Sequence, residues 1–127
     1  MTIESLNHVN IRAPEAQLKA VRDFYVEVVG LVDGERPGFG VKGHWLYAGG
    51  QAIIHLMQSR DDDGRALSAE QSAVDHVAFT CVDLAGTEKR LSEQGTPYRK
   101  NDFSERGMVQ LFLQDPTGLG VELNFCV

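Results

Sequence analysis

The sequence has no long apolar run, no excess of basic residues and few cysteines. Its apolar stretches all fall well short of the ~20 residues that a helix needs to cross a bilayer, so a membrane is not an expected partner. Lys and Arg number 12 against 18 Asp and Glu, for a net charge of -6, and the basic side chains are scattered along the chain. Without a basic stripe there is no electrostatic footprint for a phosphate backbone, which excludes nucleic acid from the expected partners. Two cysteines, Cys81 and Cys126, are too few for a disulfide framework. Both fall in strand-like runs, where small thiols are usually buried, and both read as reduced and structural. The opening MTIESLNH has neither a basic leader nor a small-residue cleavage site, so the cytoplasm is the expected location. What the chain does have is 127 residues, 43% of them hydrophobic, enough for one ordinary domain that buries a core without disulfides or a structural metal.

The chain also carries an internal similarity. LNHVNIR (Leu6 to Arg12) and VDHVAFT (Val74 to Thr80) share one pattern of apolar, polar, His and Val positions, and their histidines stand 68 positions apart, 8 to 76. The same offset carries His55, in QAIIHLMQ, to position 123, beside Glu122 in GVELNF. After the first His strand, PEAQLKAVRDFYVEVVG places Leu18, Val21, Phe24, Tyr25 and Val28 at helical spacing, with Gly30 as a left-handed stop. In the second half, DLAGTEKRLSEQG repeats the arrangement: Asp83 caps, Leu84, Thr87 and Leu91 share a face, and Gly95 ends the helix, while Gly86 weakens it. Short strands follow each helix. They are LVDGER, GHWLYAG and QAIIHLMQ in the first half, the last two joined by GG, and PYRKN, MVQLFLQ and GVELNF in the second, the last two joined by DPTG. The order is strand, helix, three strands, twice: an α+β chain with modules 1–58 and 73–127 and a polar, acidic linker at 59–72.

Side chains alternate across a strand, so His8, Asn10 and Arg12 share one face and Val9 and Ile11 the other. By the same rule His76, Ala78 and Thr80 oppose Val77 and Phe79, and Glu122 and Asn124 oppose Val121, Leu123 and Phe125. The apolar sets must pack on the helices, which turns the histidines and Glu122 to the other side of the sheet. A carboxylate among apolar neighbours needs a compensating partner. Three of the four histidines at repeat-related strand positions, with Glu122 at the fourth, point to ligation of a divalent cation by His8, His55, His76 and Glu122. His44 has no repeat counterpart and reads as a strand-edge or surface residue. Arg99, Lys100 and Arg106 form a cluster that reads as solvated rather than as an anion site, and Trp45, Tyr47 and Phe103 read as core or contact residues.

LNHVNIR, FYVEVVGL, AIIHL, VDHVAF and DPTGLGVELNF resemble the vicinal oxygen chelate superfamily, which includes glyoxalase I, epimerases, extradiol dioxygenases and bleomycin-binding proteins, over essentially the whole chain. The resemblance implies paired βαβββ modules that form a cupped mixed sheet around a metal, with helices on the outer face. It also implies a homodimer and metal ligands at His8, His55, His76 and Glu122, the ion being Zn, Ni, Co, Fe or Mn. The glyoxalase pattern usually has a carboxylate at the position of His55. Arg12 matches an arginine that glyoxalase I uses for the glutathione end of its substrate, with Asn10 beside it on the substrate face; the asparagine of that pattern is replaced here by Ser59. The activity implied is that of a lyase or isomerase. It binds a small molecule through two adjacent oxygens and abstracts a proton to give a metal-stabilised enediolate, with Glu122 as base and His55 as the alternative. An Fe(II)-dependent extradiol-type dioxygenase or a non-catalytic binder of an antibiotic or other small molecule are the alternatives.

Overall fold

A computed structural model describes residues 1–38, 40–65, 68–69 and 72–127. In chain order the elements are β1 (Val9–Ala13), α1 (Glu15–Asp23), a π-helical turn (Phe24–Val29), β2 (Val32–Gly34), β3 (Gly43–Ala48), β4 (Gln51–Gln58), β5 (His76–Cys81), α2 (Leu84–Glu93), β6 (Arg99–Phe103), a 3₁₀ turn (Ser104–Arg106), β7 (Met108–Gln114) and β8 (Gly120–Cys126). They form two units, Met1–Leu67 and Ser68–Val127. The expected linker at 59–72 lies partly outside the described residues, at positions 66, 67, 70 and 71.

In the first unit the sheet order is β1-β4-β3-β2, with β1 parallel to β4 and the other pairs antiparallel. A parallel neighbour requires a crossover, which α1 provides, whereas β3 and β4 need only a hairpin. Gly49 and Gly50, at φ 57° and 80°, supply the two left-handed residues of that hairpin. Leu18, Val21 and Tyr25 are buried on the helical segment, as are Ile11, Leu46, Ile54 and Leu56 on the strands. Each such side chain contributes about 1.5–3 kcal/mol on leaving water, and a helix of this length would not persist without that contribution. The sequence periodicity predicts one continuous helix. The structure instead widens it after Asp23, and the Gly30 amide donates to the Tyr25 carbonyl five residues back at 3.1 Å. Gly30 then ends the helix at φ 98°.

The second unit repeats the plan, with sheet order β5-β8-β7-β6. Asp83 opens α2: its carboxylate accepts from the Gly86 amide at 3.0 Å, and its carbonyl accepts from the Thr87 amide and hydroxyl. A Cβ at Gly86 would lie 2.1 Å from the Asp83 carboxylate. The glycine that lowers helix propensity is therefore the residue that makes room for the cap. Leu91, Val109, Leu111, Val121, Leu123 and Phe125 are buried in this unit. The buried Asp115 carboxylate accepts from the Thr117 amide and hydroxyl and from the Leu119 amide, which fixes the turn between β7 and β8. Both cysteines are free, yet Cys126 is exposed and Cys81 only half-buried. The expectation of two buried thiols fails at Cys126 because it stands at the end of β8, on the side opposite the buried Phe125.

Candidate functional site

The two β-ladders show how the repeat places polar groups. Asn10 lies opposite His55 in the β1–β4 pair, and Ala78 lies opposite Glu122 in the β5–β8 pair. Asn10 and Ala78 are 68 positions apart, whereas His55 and Glu122 are 67 apart (55 to 122). The halves therefore differ by one residue between paired strands, and His55 and Glu122 are structural counterparts.

In the first unit His8 stands just before β1 rather than within it. Its ring stacks on that of His55, with centroids 3.8 Å apart and planes at 13°, and Trp45 covers the other face of His55 at 4.2 Å and 12°. His8 Nδ1 donates to the Asn7 side-chain oxygen at 2.7 Å, which leaves Nε2 without a hydrogen-bond partner among the described residues. His55 has the opposite arrangement. Its Nε2 donates to the Ala52 carbonyl at 3.1 Å, which leaves Nδ1 as the bare nitrogen. Burial, and then the neighbouring charge of His8, push the His55 pKa down and hold the ring neutral.

In the second unit His76 Nδ1 is 2.8 Å from the Asp75 carboxylate, and its Nε2 is 3.1 Å from Glu122 Oε2. The other Glu122 oxygen accepts from the Gln110 side-chain amide at 2.6 Å. Glu122 is 6% exposed, so its charge is largely withdrawn from water. With Nδ1 donating to Asp75, the lone pair of a neutral His76 would face a carboxylate oxygen, an arrangement that needs a positive charge between the two atoms. A proton or a metal cation meets that need. The hydrogen bond that His76 Nδ1 donates to Asp75, and then the charge of Glu122, push the His76 pKa up. Gly120 opposes His76 in the ladder, and a Cβ there would lie 2.8 Å from the His76 Cβ.

The structure thus brings together His8 with His55 and, separately, His76 with Glu122. Among the described residues no group of three or more His, Cys, Asp and Glu side chains comes together. On the test of a metal ligand set, His8, His76 and Glu122 each offer a donor atom, and His55 offers Nδ1, its Nε2 being held by the Ala52 carbonyl. Arg12 lines a cavity of about 480 Å³ in the first unit with Met57, Ser59 and Arg60, and the Ser59 hydroxyl is buried without a hydrogen-bond partner among the described residues. His44 belongs elsewhere: its Nδ1 is 3.0 Å from Asp33, which also accepts from Arg22, so it ties β3 to β2 and α1. Trp45, read from the sequence as a core or contact residue, covers His55. Lys100 pairs with Glu88 on α2 at 3.1 Å. Sequence reasoning missed Asp75, Gln110 and Gly120. Gln110 alternates with buried Val109 and Leu111, and that alternation was the available signal for it.

The sequence profile of the Glyoxalase/Bleomycin resistance protein/Dioxygenase superfamily matches residues 5–123. "Glyoxylase I 4" of Arabidopsis thaliana is 29% identical over 127 residues, covering 98% of this chain and 72% of that protein. A glyoxalase family protein from Bacillus anthracis superposes with a TM-score of 0.76 at 22% identity, covering 100% of this chain and 98% of that one. Lactoylglutathione lyase from Agrobacterium tumefaciens does so with a TM-score of 0.68 at 18% identity, covering 98% and 96%. At these identities the two structures show a shared fold. The duplicated strand–helix–three-strand plan and the match across nearly all residues place this chain in the Glyoxalase/Bleomycin resistance protein/Dioxygenase superfamily.

Proposed function

We propose that the protein is a metal-dependent lyase or isomerase of the glyoxalase type, a single domain of two modules, with His8, His55, His76 and Glu122 as the residues that ligate a divalent ion. The observation that carries this reading is the approach of His76 Nε2 to Glu122 Oε2 at 3.1 Å, a pair of metal-ligating groups that needs a proton or a metal cation between its two atoms. Zn, Ni, Co, Fe and Mn all suit imidazole and carboxylate donors. When bound, such an ion draws on two neighbouring substrate oxygens and stabilises the negative charge that develops when a C–H proton leaves.

The chain's own residues would do the rest. Glu122 takes the proton from the carbon next to the carbonyl, giving an enediolate, and returns it to the adjacent carbon; His55, neutral through burial, is the alternative proton acceptor. Gln110 and Asp75 act as positioning residues that hold Glu122 and His76. Arg12 makes no ion pair among the described residues, and with the Ser59 hydroxyl it offers charge and hydrogen bonds to a polar substrate end, with Asn10 on the same face. No helix is long and apolar enough to cross a membrane among the described residues. A cytoplasmic homodimer is the proposed form, and the exposed apolar side chains Ile3, Leu6 and Val82 support association.

Elemental analysis of the purified protein beside His8→Ala, His76→Ala and Glu122→Ala tests the ligand set. Loss of metal in the variants is expected, and equal retention in all of them removes the proposal. Turnover of 2-oxoaldehyde thiol adducts, without oxygen uptake on catechols, is the expected activity. Oxygen uptake would instead assign ring cleavage.

A further inference from the structure

A cavity of about 820 Å³ in the second unit is lined by His76, Tyr98, Arg99 and Phe112. Arg99 lies opposite Phe112 in the β6–β7 pair, and its guanidinium carbon sits over that ring, 4.6 Å from the centroid. The edge of the same ring meets His76, with centroids 6.0 Å apart. Asn101, two residues on and therefore on the same strand face, accepts from Arg99 Nη1 at 2.9 Å. Two contacts thus fix the orientation of a side chain that is usually floppy, at a cost in side-chain entropy.

The surrounding charges give this order a purpose. Lys100 points to the opposite face and is paired with Glu88, so it is not available to the cavity. Arg99 makes no ion pair among the described residues, in a chain where acidic residues outnumber basic ones by 18 to 12. A planar guanidinium set over an aromatic ring, with most of its N–H groups unspent among the described residues, is suited to take a carboxylate through two parallel hydrogen bonds.

We propose that Arg99, held on Phe112 and Asn101, is a specificity-determining residue that binds the carboxylate of a small organic acid whose remainder reaches toward His76. This rests on the reading of His76 and Glu122 as the reacting end. The substrate class it names is a 2-oxo or 2-hydroxy acid or a related adduct with a free carboxylate, in preference to a neutral aldehyde or ester.

The test follows the side-chain Nε–Hε signal of Arg99 by ¹⁵N NMR in the purified protein, the signal being assigned by its absence in Arg99→Leu. The protein is titrated with D-lactate and with lactamide, which has the same shape without the charge. A saturable movement with lactate and none with lactamide is expected, and titration calorimetry of both proteins should show lactate affinity about tenfold or more weaker in Arg99→Leu, as befits loss of a charge-assisted pair. Absence of movement, equal movement with lactamide, or unchanged lactate affinity in Arg99→Leu overturns the proposal. Saturation by inorganic phosphate but not by lactate overturns the carboxylate assignment. Glu122→Ala removes the proposed base and ligand without touching Arg99. Persistence of the lactate response in that variant supports the Arg99 site whatever its metal content shows, and loss of the response there overturns it.

Discussion

Gln110 donates to the Glu122 oxygen that does not face His76, so it touches the proposed ligand set from behind. Gln110→Leu should keep the sheet, since the side chain is only half-buried, and should lower metal affinity by about 10–100-fold, the usual cost of losing a group that orients a ligand. Competition with a chelating dye measures this, and unchanged affinity would sink the assigned role. The two histidine environments make a second prediction, for chelator-treated protein. The folded pKa of His76 is raised by Asp75 and Glu122, so its stabilising contribution is complete below the unfolded pKa and is lost as pH rises through the folded one. That of His55 is lowered by burial and His8; the unfolded chain then binds more protons, and stability falls as pH drops from the ordinary histidine value toward the folded one. Following the ring Cε1–H signals through a pH titration should give His76 the higher midpoint, and the reverse order would contradict both environments. His8, His76 and Glu122 were legible in the sequence because their spacing repeats. Asp75 and Gln110 were not, because an acid or amide on a strand face has no meaning until a register sets it beside a particular partner.

At the scale of the element, Gly86 separates propensity from context. A glycine inside a helix normally costs about 1 kcal/mol relative to alanine, so Gly86→Ala would be expected to stabilise α2. Here the added Cβ meets the Asp83 carboxylate at 2.1 Å, and we expect Gly86→Ala to lower the thermal midpoint by breaking the cap. A raised midpoint would show that the cap contributes little. In the same unit Phe125 is 1% exposed, and Phe125→Ala should cost about 3–5 kcal/mol in denaturant unfolding. Both helices, their glycine stops and the GG hairpin were readable from apolar spacing and turn residues. The π-helical turn at Phe24–Val29 was not, because periods of 3.6 and of slightly more than four residues place nearly the same side chains inward over a single turn. The burial of Cys126 was misread for a related reason: strand membership is visible in sequence, whereas the face a terminal residue takes depends on where the ladder ends.

For the molecule as a whole, the proposed homodimer predicts a solution mass of about twice the chain mass of 14.0 kDa, measured by light scattering after size exclusion. A monomer at all concentrations would refute it. The two units have the same strand order, and a duplicated sequence announces that much in advance, since each module must turn its apolar stripe to its own helix and its polar stripe the other way. By itself, then, the sequence determined the α+β class and the duplicated plan and named His8, His55, His76 and Glu122 as candidate ligands, because alternation and helical spacing are local properties of a chain. The tertiary structure decided that Glu122 faces His76 across 3.1 Å, that His55 is sandwiched between His8 and Trp45, and that Arg99 is laid on Phe112. Those contacts join strands whose pairing is set by hydrogen-bond register and by the loops between them, and a one-residue difference in such a loop changes which side chains meet.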